Sequence, residues 1–266
     1  MTTRIRFLGV AGFEVEGPKF RFLLDPFLKG NHLAPVTPDA IEAPDLILVS
    51  HAAYDHLGDT AEIATRTGAP VVCGGDVRLL LLERGVPEKQ VRSTIWGVIV
   101  DVNGIVVRPV ECHHWSQSLN KDGKLLTGTP LAFIVETEPG VRLYHYGDTA
   151  IFDMSLFGKL YKPTIAFLGC TDPFELADDT QVGRVLSGEM SPDEAAMAAE
   201  MLGVDVAIAC HYMTPTPDLD EFVRQVAVHD LSKRRQALAP TVGDKFIVES
   251  SSHRIRLVPE ASTPAG

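Results

Sequence analysis

The stretch that decides the fold is Asp45-Leu46-Ile47-Leu48-Val49-Ser50-His51-Ala52-Ala53-Tyr54-Asp55-His56. Residues 45–50 form a largely apolar run of the kind found in a strand that is buried on both faces. The run ends at His51, and Asp55 and His56 follow four and five residues later. Because ligand sites of open α/β sheets lie beyond the carboxyl ends of the strands, this segment predicts a functional site at a sheet edge.

The composition is typical of an ordinary water-soluble globular protein. The 266 residues are 45% hydrophobic and 22% charged, and no segment approaches the ~18 consecutive apolar residues of a membrane span. The formal net charge of −11 argues against an extended phosphate-binding surface, which needs clustered Lys and Arg. We therefore expect no nucleic-acid or membrane partner, and this composition is compatible with a small-molecule substrate and with self-association into a homo-oligomer.

The cysteines and the N-terminal residues indicate the compartment. The four cysteines are widely spaced, which fits reduced thiols better than a disulfide framework; they are Cys73, Cys112, Cys170 and Cys210. Residues 1–7 lead directly into a strand-like pattern without the apolar region of a secretory signal. Both features predict a cytoplasmic protein.

Apolar periodicity and turn residues predict strands and helices in alternation along residues 1–260, which we interpret as one domain built from two similar halves, followed by a disordered tail at 261–266. Strands are predicted at 4–9, 20–25, 45–50, 70–73, 92–100, 104–112, 131–136, 141–146, 164–169 and 204–210. Helices are predicted at 76–84, from an Asp59 cap with Glu62 three residues later to about Gly68, and from a Ser191 cap onward.

Polar residues follow several other predicted strands as well. His113 and His114 end one strand, Asp148 another and His211 a third. These side chains are candidates to converge with those of residues 51–56 at one sheet edge. Successive strand residues point to opposite faces, so only one of His113 and His114 can enter such a site.

The segment Ser50-His51-x-x-x-Asp55-His56 resembles the signature of the metallo-β-lactamase superfamily. Further segments resemble, in order and spacing, its small single-domain branch of predicted metal-dependent hydrolases, related to sugar-phosphate lactonases. They are Phe7-Leu8-Gly9, Leu24-Asp25-Pro26-Phe27-Leu28, His56-Leu57-Gly58-Asp59-Thr60, His145-Tyr146-Gly147-Asp148-Thr149-Ala150, Met190-Ser191-Pro192-Asp193-Glu194-Ala195-Ala196 and Cys210-His211-Tyr212. The resemblance covers nearly the whole chain and implies an α/β fold, a four-layer αββα sandwich with one or two divalent ions at the sheet edges.

The resemblance also implies a ligand set. Asp55, His56 and His211 would bind one ion, His51 and His114 the other, and Asp148 would bridge the two. His114 is preferred over His113 because His114-Trp115-Ser116 resembles the His-x-Ser of the family. Three residues are expected behind the ligands, where they would fix ligand orientation: Asp25, His113 and His145.

Two positions depart from the family pattern. Ala53 stands where the family has a second histidine, and Val10 stands where a Gly-His pair is common near the end of the first strand. An alanine cannot donate a lone pair to a metal, so one alternative is a single ion held by Asp55, His56, Asp148 and His211. Another is repair of the site by Cys112 or Glu189, although a buried thiol is the more usual role of a free cysteine.

The implied chemistry is hydrolysis by a metal-bound hydroxide, since a bound divalent ion shifts the pKa of water towards ~7. Small esters, lactones, amides and phosphodiesters would be suitable substrates. Asp55 or Asp148 would orient the nucleophile and pass on its proton, and Tyr54 would either donate to an oxyanion or fill the space of the missing imidazole. Zinc is the default ion, and manganese or iron would accept the same ligands.

Two other functions stay open at this point. Because of Ala53, the chain could be a metal- or metabolite-binding protein with a degenerate, non-hydrolytic site. A nuclease of the same superfamily is disfavoured by the acidic composition. Specificity is expected from the loops at 112–130 and 171–189, and the acidic side chains of the second loop disfavour an anionic substrate.

Overall fold

The strands form two large sheets and one hairpin in the computed structural model, which describes residues 2–171, 187–251 and 254–260. The strands are β1 (Arg4–Gly9), β2 (Gly12–Glu16), β3 (Arg21–Leu24), β4 (Leu46–Leu48), β5 (Val71–Cys73), β6 (Val91–Ser93), β7 (Val100–Val102), β8 (Ile105–Val110), β9 (Ser116–Leu119), β10 (Leu125–Gly128), β11 (Ala132–Glu138), β12 (Val141–His145), β13 (Ile165–Gly169), β14 (Val206–Cys210), β15 (Gln236–Leu238), β16 (Lys245–Ser251) and β17 (Arg254–Pro259). The helices are α1 (Tyr54–Leu57), α2 (Thr60–Thr67), α3 (Gly75–Glu83), α4 (Ser155–Tyr161), α5 (Pro192–Leu202) and α6 (Pro217–His229).

Each large sheet combines an antiparallel part with a parallel part. The first sheet has the order β17-β16-β1-β2-β3-β4-β5-β6, and β3 to β6 run parallel. The second has the order β15-β14-β13-β12-β11-β8-β7, and β12 to β15 run parallel. Strands β9 and β10 form a separate hairpin. The carboxyl ends of the parallel strands are the places where each half of the chain can present polar side chains.

The burial pattern of β4 shows how the sheets are layered. Leu46 and Leu48 belong to the apolar core that the two sheets share, together with residues such as Phe133 of the second sheet. Ile47 and Val49 point the opposite way, into a second core that includes apolar side chains of α2 and α3. Helices α5 and α6 cover the other sheet with buried Ala, Leu and Phe side chains. The predicted four-layer αββα sandwich is confirmed.

Helix α5 begins as the sequence predicts. Ser191 Oγ accepts a hydrogen bond from the backbone N–H of Glu194 (3.4 Å), and Glu194 Oε2 accepts one from the N–H of Ser191 (2.9 Å). This reciprocal capping box satisfies two donors that would otherwise lack intrahelical partners. The helix ends at Gly203, whose φ of 68° is the left-handed conformation typical of a helix C-terminus.

We expect Ser191→Ala to lower the free energy of unfolding by about 1 kcal/mol, because the mutation removes the cap acceptor. Urea unfolding followed by circular dichroism would measure the change. Thr216→Ala is a suitable control, since Thr216 precedes α6 without a side-chain hydrogen bond to the helix backbone. Equal losses in the two variants would contradict the capping role of Ser191.

Two local predictions are wrong. Asp59 does not cap α2 with its side chain; its Oδ2 instead accepts hydrogen bonds from the backbone N–H groups of Leu28 (2.7 Å) and Lys29 (3.0 Å), so tertiary contacts compete with the local cap. The predicted strand at 92–100 is two short strands, β6 and β7, separated by a turn. The turn contains Gly97 with a φ of 78°, which a regular strand cannot accommodate.

Two further predictions concern regions that the structure describes only in part. The predicted tail at 261–266 lies outside the described residues, as does most of the loop at 171–189. Within the described ranges, none of the helices is both long enough and apolar enough to cross a membrane.

Candidate metal centre

The ends of four parallel or adjoining strands deliver polar side chains to one place between the sheets. Asp25 follows β3, His51 follows β4 by three residues, Asp148 follows β12 by three residues, and His211 directly follows β14. The short helix α1 adds the side chains of Asp55 and His56. All six are buried, none with more than 7% of its surface exposed. The structure thus brings together most of the residues that the sequence predicts at the site.

The backbone is strained at three of these positions. Asp25, Asp148 and His211 have φ values of 40°, 66° and 69°, in the left-handed region that costs non-glycine residues about 1–3 kcal/mol each. His211 is held in place by Val10, whose carbonyl oxygen accepts a hydrogen bond from the N–H of His211 (2.7 Å). The backbone of Val10 therefore joins the end of β1 to the candidate site, whichever side chain stands at this position.

Asp148 lies at the centre of the cluster. Its Oδ2 is 2.8 Å from Nε2 of His56, 3.2 Å from Nε2 of His211 and 3.8 Å from Nε2 of His51. Oδ2 of Asp55 lies 3.6 Å from Nε2 of His211 and 4.0 Å from Nε2 of His56. Three histidines from both halves of the chain therefore direct the same ring nitrogen towards one carboxylate.

The Nδ1 atoms of His51 and His56 have acceptors in the protein. His56 Nδ1 lies 2.7 Å from Asp25 Oδ2 and donates its hydrogen to that carboxylate. Ser50 Oγ also donates to Asp25 Oδ2 (2.6 Å), so its lone pairs are available to His51 Nδ1 at 3.0 Å. With hydrogen on Nδ1, the neutral form of each ring has a lone pair on Nε2.

His211 is held in the same way by a different carboxylate. Its Nδ1 lies 3.0 Å from Oε2 of Glu189, and that oxygen also accepts a hydrogen bond from the Tyr146 hydroxyl (3.2 Å). Carboxylates that accept from the distal ring nitrogen are the usual support of metal-binding histidines. The three rings are therefore arranged so that Nε2, the nitrogen facing Asp148, is the basic one.

The site carries an excess of negative charge. Four buried carboxylates lie in it: Asp25, Asp55, Asp148 and Glu189. In the part of the chain that the structure describes, they form ion pairs with histidines and with no Lys or Arg. Buried charge of one sign is costly unless an opposite charge compensates it, so this arrangement favours a bound cation.

The pKa values follow from these charges. Burial alone would lower the pKa of His56, but the carboxylates of Asp148 and Asp25 outweigh burial and raise it well above its ordinary value. Burial would raise the pKa of Asp148, yet His211 and His56 hold it well below its usual range. By contrast, burial and the neighbouring His56 lower the pKa of His51 to about 3, so His51 is neutral at pH 7.

The donor set fits a divalent metal ion. His51 Nε2 and Asp148 Oδ1 are buried and have no hydrogen-bond partner among the described residues, which is a costly state that an ion would relieve. Three groups of His, Asp and Glu have ligand atoms within 4.8 Å of one another; they are His51 with His56 and Asp148, Asp55 with His56 and His211, and Asp148 with Glu189 and His211. Imidazole nitrogen and carboxylate oxygen are ordinary zinc ligands.

His114 lies next to these groups without belonging to them. Its ring stands edge-on to that of His51, with 5.0 Å between the ring centroids, and its Nδ1 lies 2.8 Å from the carbonyl oxygen of Gly188. The ring of Trp115 stacks on that of His114, with 4.6 Å between the ring centroids. His114 therefore lies beside His51, and its predicted role as a ligand stays a prediction.

His113 does not lie beside the ligand candidates. Its side chain is 46% exposed, its Nε2 lies 2.7 Å from Glu111, and its ring stacks on that of Phe152. The expectation that His113 supports a ligand from behind therefore differs from the structure. Both histidines lie in the loop between β8 and β9, where His113 contacts Glu111 and Phe152 while His114 faces His51.

The other expected supporting residues have different surroundings. Asp25 accepts from His56, as described above, and His145 lies behind Asp25. His145 Nε2 donates to the carbonyl oxygen of Ala11 (3.0 Å) and lies 3.7 Å from Asp25 Oδ2. Cys112 donates its thiol hydrogen to the carbonyl oxygen of Gly147 (2.9 Å), and burial raises the pKa of the thiol well above its ordinary value. Cys112 belongs to none of the ligand groups found among the described residues.

Tyr54 and Ala53 are less buried than the candidate ligands that follow them. The side chain of Tyr54 is 71% exposed, and its ring packs edge-on against Phe27 at a centroid distance of 5.7 Å. Tyr54 therefore does not fill the interior volume of a missing imidazole. Ala53 is half-buried and immediately precedes α1.

One contact of the site has no clear signal in the sequence. Ser116 Oγ accepts a hydrogen bond from the backbone N–H of Ala52 (3.0 Å) and donates to the buried carboxylate of Asp76. The contact ties the 51–56 segment to the β9–β10 hairpin and to the start of α3. Ser116 belongs to the segment His114-Trp115-Ser116, whereas nothing in the sequence around Asp76 predicts its contact with Ser116.

Comparisons with known proteins identify the family of the chain. Residues 20–212 match the model of the beta-lactamase superfamily domain. The UPF0173 metal-dependent hydrolase of Methanopyrus kandleri is 39% identical over 228 residues, which cover 84% of this chain and 91% of that protein. A UPF0173 metal-dependent hydrolase of Archaeoglobus fulgidus is 36% identical over 248 residues, covering 91% and 99%.

The fold is also similar to that of a solved structure. Igni18, a metallo hydrolase from Ignicoccus hospitalis, superposes with a TM-score of 0.73 at 23% identity, covering 94% of this chain and 100% of that one. The sequence relatives, which share more than 30% identity over most of both chains, decide the family. The chain therefore belongs to the UPF0173 metal-dependent hydrolases, within the beta-lactamase superfamily.

Proposed function

We propose that this hydrolase uses one divalent ion, with zinc preferred, to cleave a small ester, lactone or phosphodiester. Asp55, His56, Asp148 and His211 would hold the ion. The observation that carries the proposal is the approach of His56 Nε2 and His211 Nε2 to Asp148 Oδ2, at 2.8 and 3.2 Å. Ligand atoms about 3.3 Å apart are what tetrahedral coordination at about 2.0–2.1 Å requires.

The proposal of a single ion is based on the residues around His51, where a second ion would need its ligands. Ala53 offers no ligand atom, and His114 belongs to none of the three ligand groups found among the described residues. His51 is 3.8 Å from Asp148 Oδ2, further than the other two histidines. A divalent ion in such a site acidifies water and polarises a carbonyl or phosphoryl oxygen. His51 and His114 would then line the space for the substrate.

The residues around this space have distinct roles in the proposal. The pKa of Asp55 is lowered to about 2, because His56 and His211 outweigh the effect of burial. Asp55 is therefore ionised at neutral pH and suits the orientation of a nucleophilic water better than proton storage. Tyr54, which directly precedes Asp55, would donate a hydrogen bond from its hydroxyl to the developing oxyanion.

Metal analysis combined with an activity screen tests the proposal. Protein reconstituted separately with zinc, manganese or iron should bind about one ion per chain. Chelation should abolish hydrolysis of a panel of chromogenic esters, lactones and phosphodiesters, and addition of the ion should restore it. Two ions per chain would contradict the single site, and unchanged activity after chelation would contradict the role of the metal.

Ala53 motivates one alternative, a protein that binds a metal or metabolite at this site without turnover. Stoichiometric ion binding with no hydrolysis of any panel member, even at high enzyme concentration, would favour that alternative over the hydrolase.

A further inference from the structure

Two adjacent residues, Gly188 and Glu189, contact two different imidazoles of the metal centre. The carbonyl oxygen of Gly188 accepts from His114 Nδ1 at 2.8 Å. The carboxylate of Glu189 accepts from His211 Nδ1 at 3.0 Å. Ser191, only two residues later, is the anchored start of α5 through its capping box. One short segment therefore orients a ring on each side of the candidate site.

Glu189 is built into the interior. Its side chain is only 1% exposed, and its Oε2 accepts from both His211 and the hydroxyl of Tyr146. Tyr146 is itself confined, because its hydroxyl lies against Gly169 so closely that a Cβ at Gly169 would be 2.3 Å away. A buried carboxylate is costly without such partners. The oxygen that faces His211 is therefore fixed in position by the packing around it.

We propose that Glu189 is a positioning residue that keeps a hydrogen on Nδ1 of His211 and so leaves Nε2 for the ion. The carbonyl oxygen of Gly188 orients the His114 ring, which lies beside the site and is not one of the proposed ligands. The inference rests on the proposed function, in which Nε2 of His211 is a ligand atom. It extends to His211 the arrangement in which Asp25 accepts from Nδ1 of His56.

A competing role for Glu189 is direct ligation, because Glu189 forms one of the ligand groups with Asp148 and His211. The two donors that already occupy Oε2 disfavour this role. A glutamine at position 189 distinguishes the positioning role from direct ligation. A glutamine side-chain oxygen still accepts from Nδ1 of His211, whereas a neutral amide is a poor substitute for a ligating carboxylate.

The experiment compares the wild-type chain with Glu189→Gln and Glu189→Ala. NMR of protein labelled with ¹⁵N-histidine would detect the hydrogen-bonded, slowly exchanging Nδ1 proton of His211 in metal-free protein. A chelator competition titration would measure zinc affinity. We expect Glu189→Gln to keep the Nδ1 proton and to lose less affinity than Glu189→Ala. The alanine variant should lose the proton signal and bind zinc about 10–100-fold more weakly.

Ser191→Ala is the matched control. It removes the cap of α5 two residues away and contacts neither imidazole, so it should lower stability while keeping both the Nδ1 proton and the zinc affinity. Equal effects of Ser191→Ala and Glu189→Ala would reduce Glu189 to a structural role. A wild-type Nδ1 signal in Glu189→Ala, or an equal loss of affinity in Glu189→Gln and Glu189→Ala, would also overturn the inference.

Failure of this inference and failure of the proposed function have different signatures. The Nδ1 proton of His211 is observed without metal, so it reports on Glu189 even if the wild-type chain binds no zinc. Absence of zinc binding with an intact Glu189-dependent Nδ1 signal would contradict the proposed function alone. Full zinc binding with an Nδ1 signal that ignores Glu189 would contradict the positioning role alone.

Discussion

Asp148→Ala should abolish stoichiometric metal binding, with a loss of zinc affinity greater than the ~10–100-fold typical of a residue that only supports a ligand. The reason is the central position of Asp148, whose Oδ2 is within 3.2 Å of the ring nitrogens of both His56 and His211. Without that carboxylate, the remaining candidate ligands have no common negative partner. A chelator competition titration and metal analysis of the purified variant would measure the loss.

Asp153→Ala is the control for this prediction. Asp153 lies five residues further along the chain and is exposed, and its carboxylate accepts only from the N–H of Ser155 among the hydrogen bonds described for it. Its replacement should leave zinc affinity unchanged. If Asp148→Ala retained one tightly bound ion per chain, the assignment of Asp148 as the centre of the site would be incorrect.

Gly147→Ala should destabilise the fold by about 3 kcal/mol or more. Gly147 has a φ of 62°, and a Cβ at this position would lie 2.2 Å from the carbonyl oxygen of Leu131. The left-handed conformation costs an alanine about 1 kcal/mol or more, and displacement of the β11 end would add the cost of overpacking, about 1–3 kcal/mol. Urea unfolding would give the free energy of unfolding.

Gly140→Ala separates the two contributions to this effect. Gly140 is also left-handed, with a φ of 85°, but no atom lies within 4 Å of its ideal Cβ position. We expect Gly140→Ala to cost only about 1 kcal/mol, the conformational part. A loss at Gly147 no larger than that at Gly140 would show that the contact with Leu131 is relieved by a small shift.

Much of the fold could be predicted because its strands end where the sequence changes from apolar to polar. The run before His51 gives β4, and the run before His211 gives β14, since both strands are buried on two faces and are continuously apolar. Ser191 and Glu194 mark the start of α5 because the cap is a local interaction. The same strand ends bring His51, Asp148 and His211 together.

The remaining features depend on contacts between distant segments. Residues 92–100 contain Ile95, Val98 and Ile99, which have the composition of a strand, yet Gly97 turns the chain between them. Asp59 is a residue type that often caps helices, but its side chain accepts hydrogen bonds from the backbone N–H groups of Leu28 and Lys29 instead. Nothing in the local sequence of Glu189 indicates that it accepts from a histidine 22 positions later. Hydrophobic periodicity indicates which face of a helix or strand is buried, but it does not indicate which distant residue that face contacts.

The candidate ligands come from both sheets, with Asp55 and His56 following β4 and with Asp148 and His211 following β12 and β14. An ion shared between them would be a non-covalent cross-link between the two halves of the sandwich. Binding to the folded chain alone stabilises it by RT ln(1 + [L]/Kd), about 2.7 kcal/mol at a free-ion concentration of 100 Kd. The melting temperature would then depend on the free-ion concentration, so a thermal-shift series across metals would rank their affinities without knowledge of the substrate.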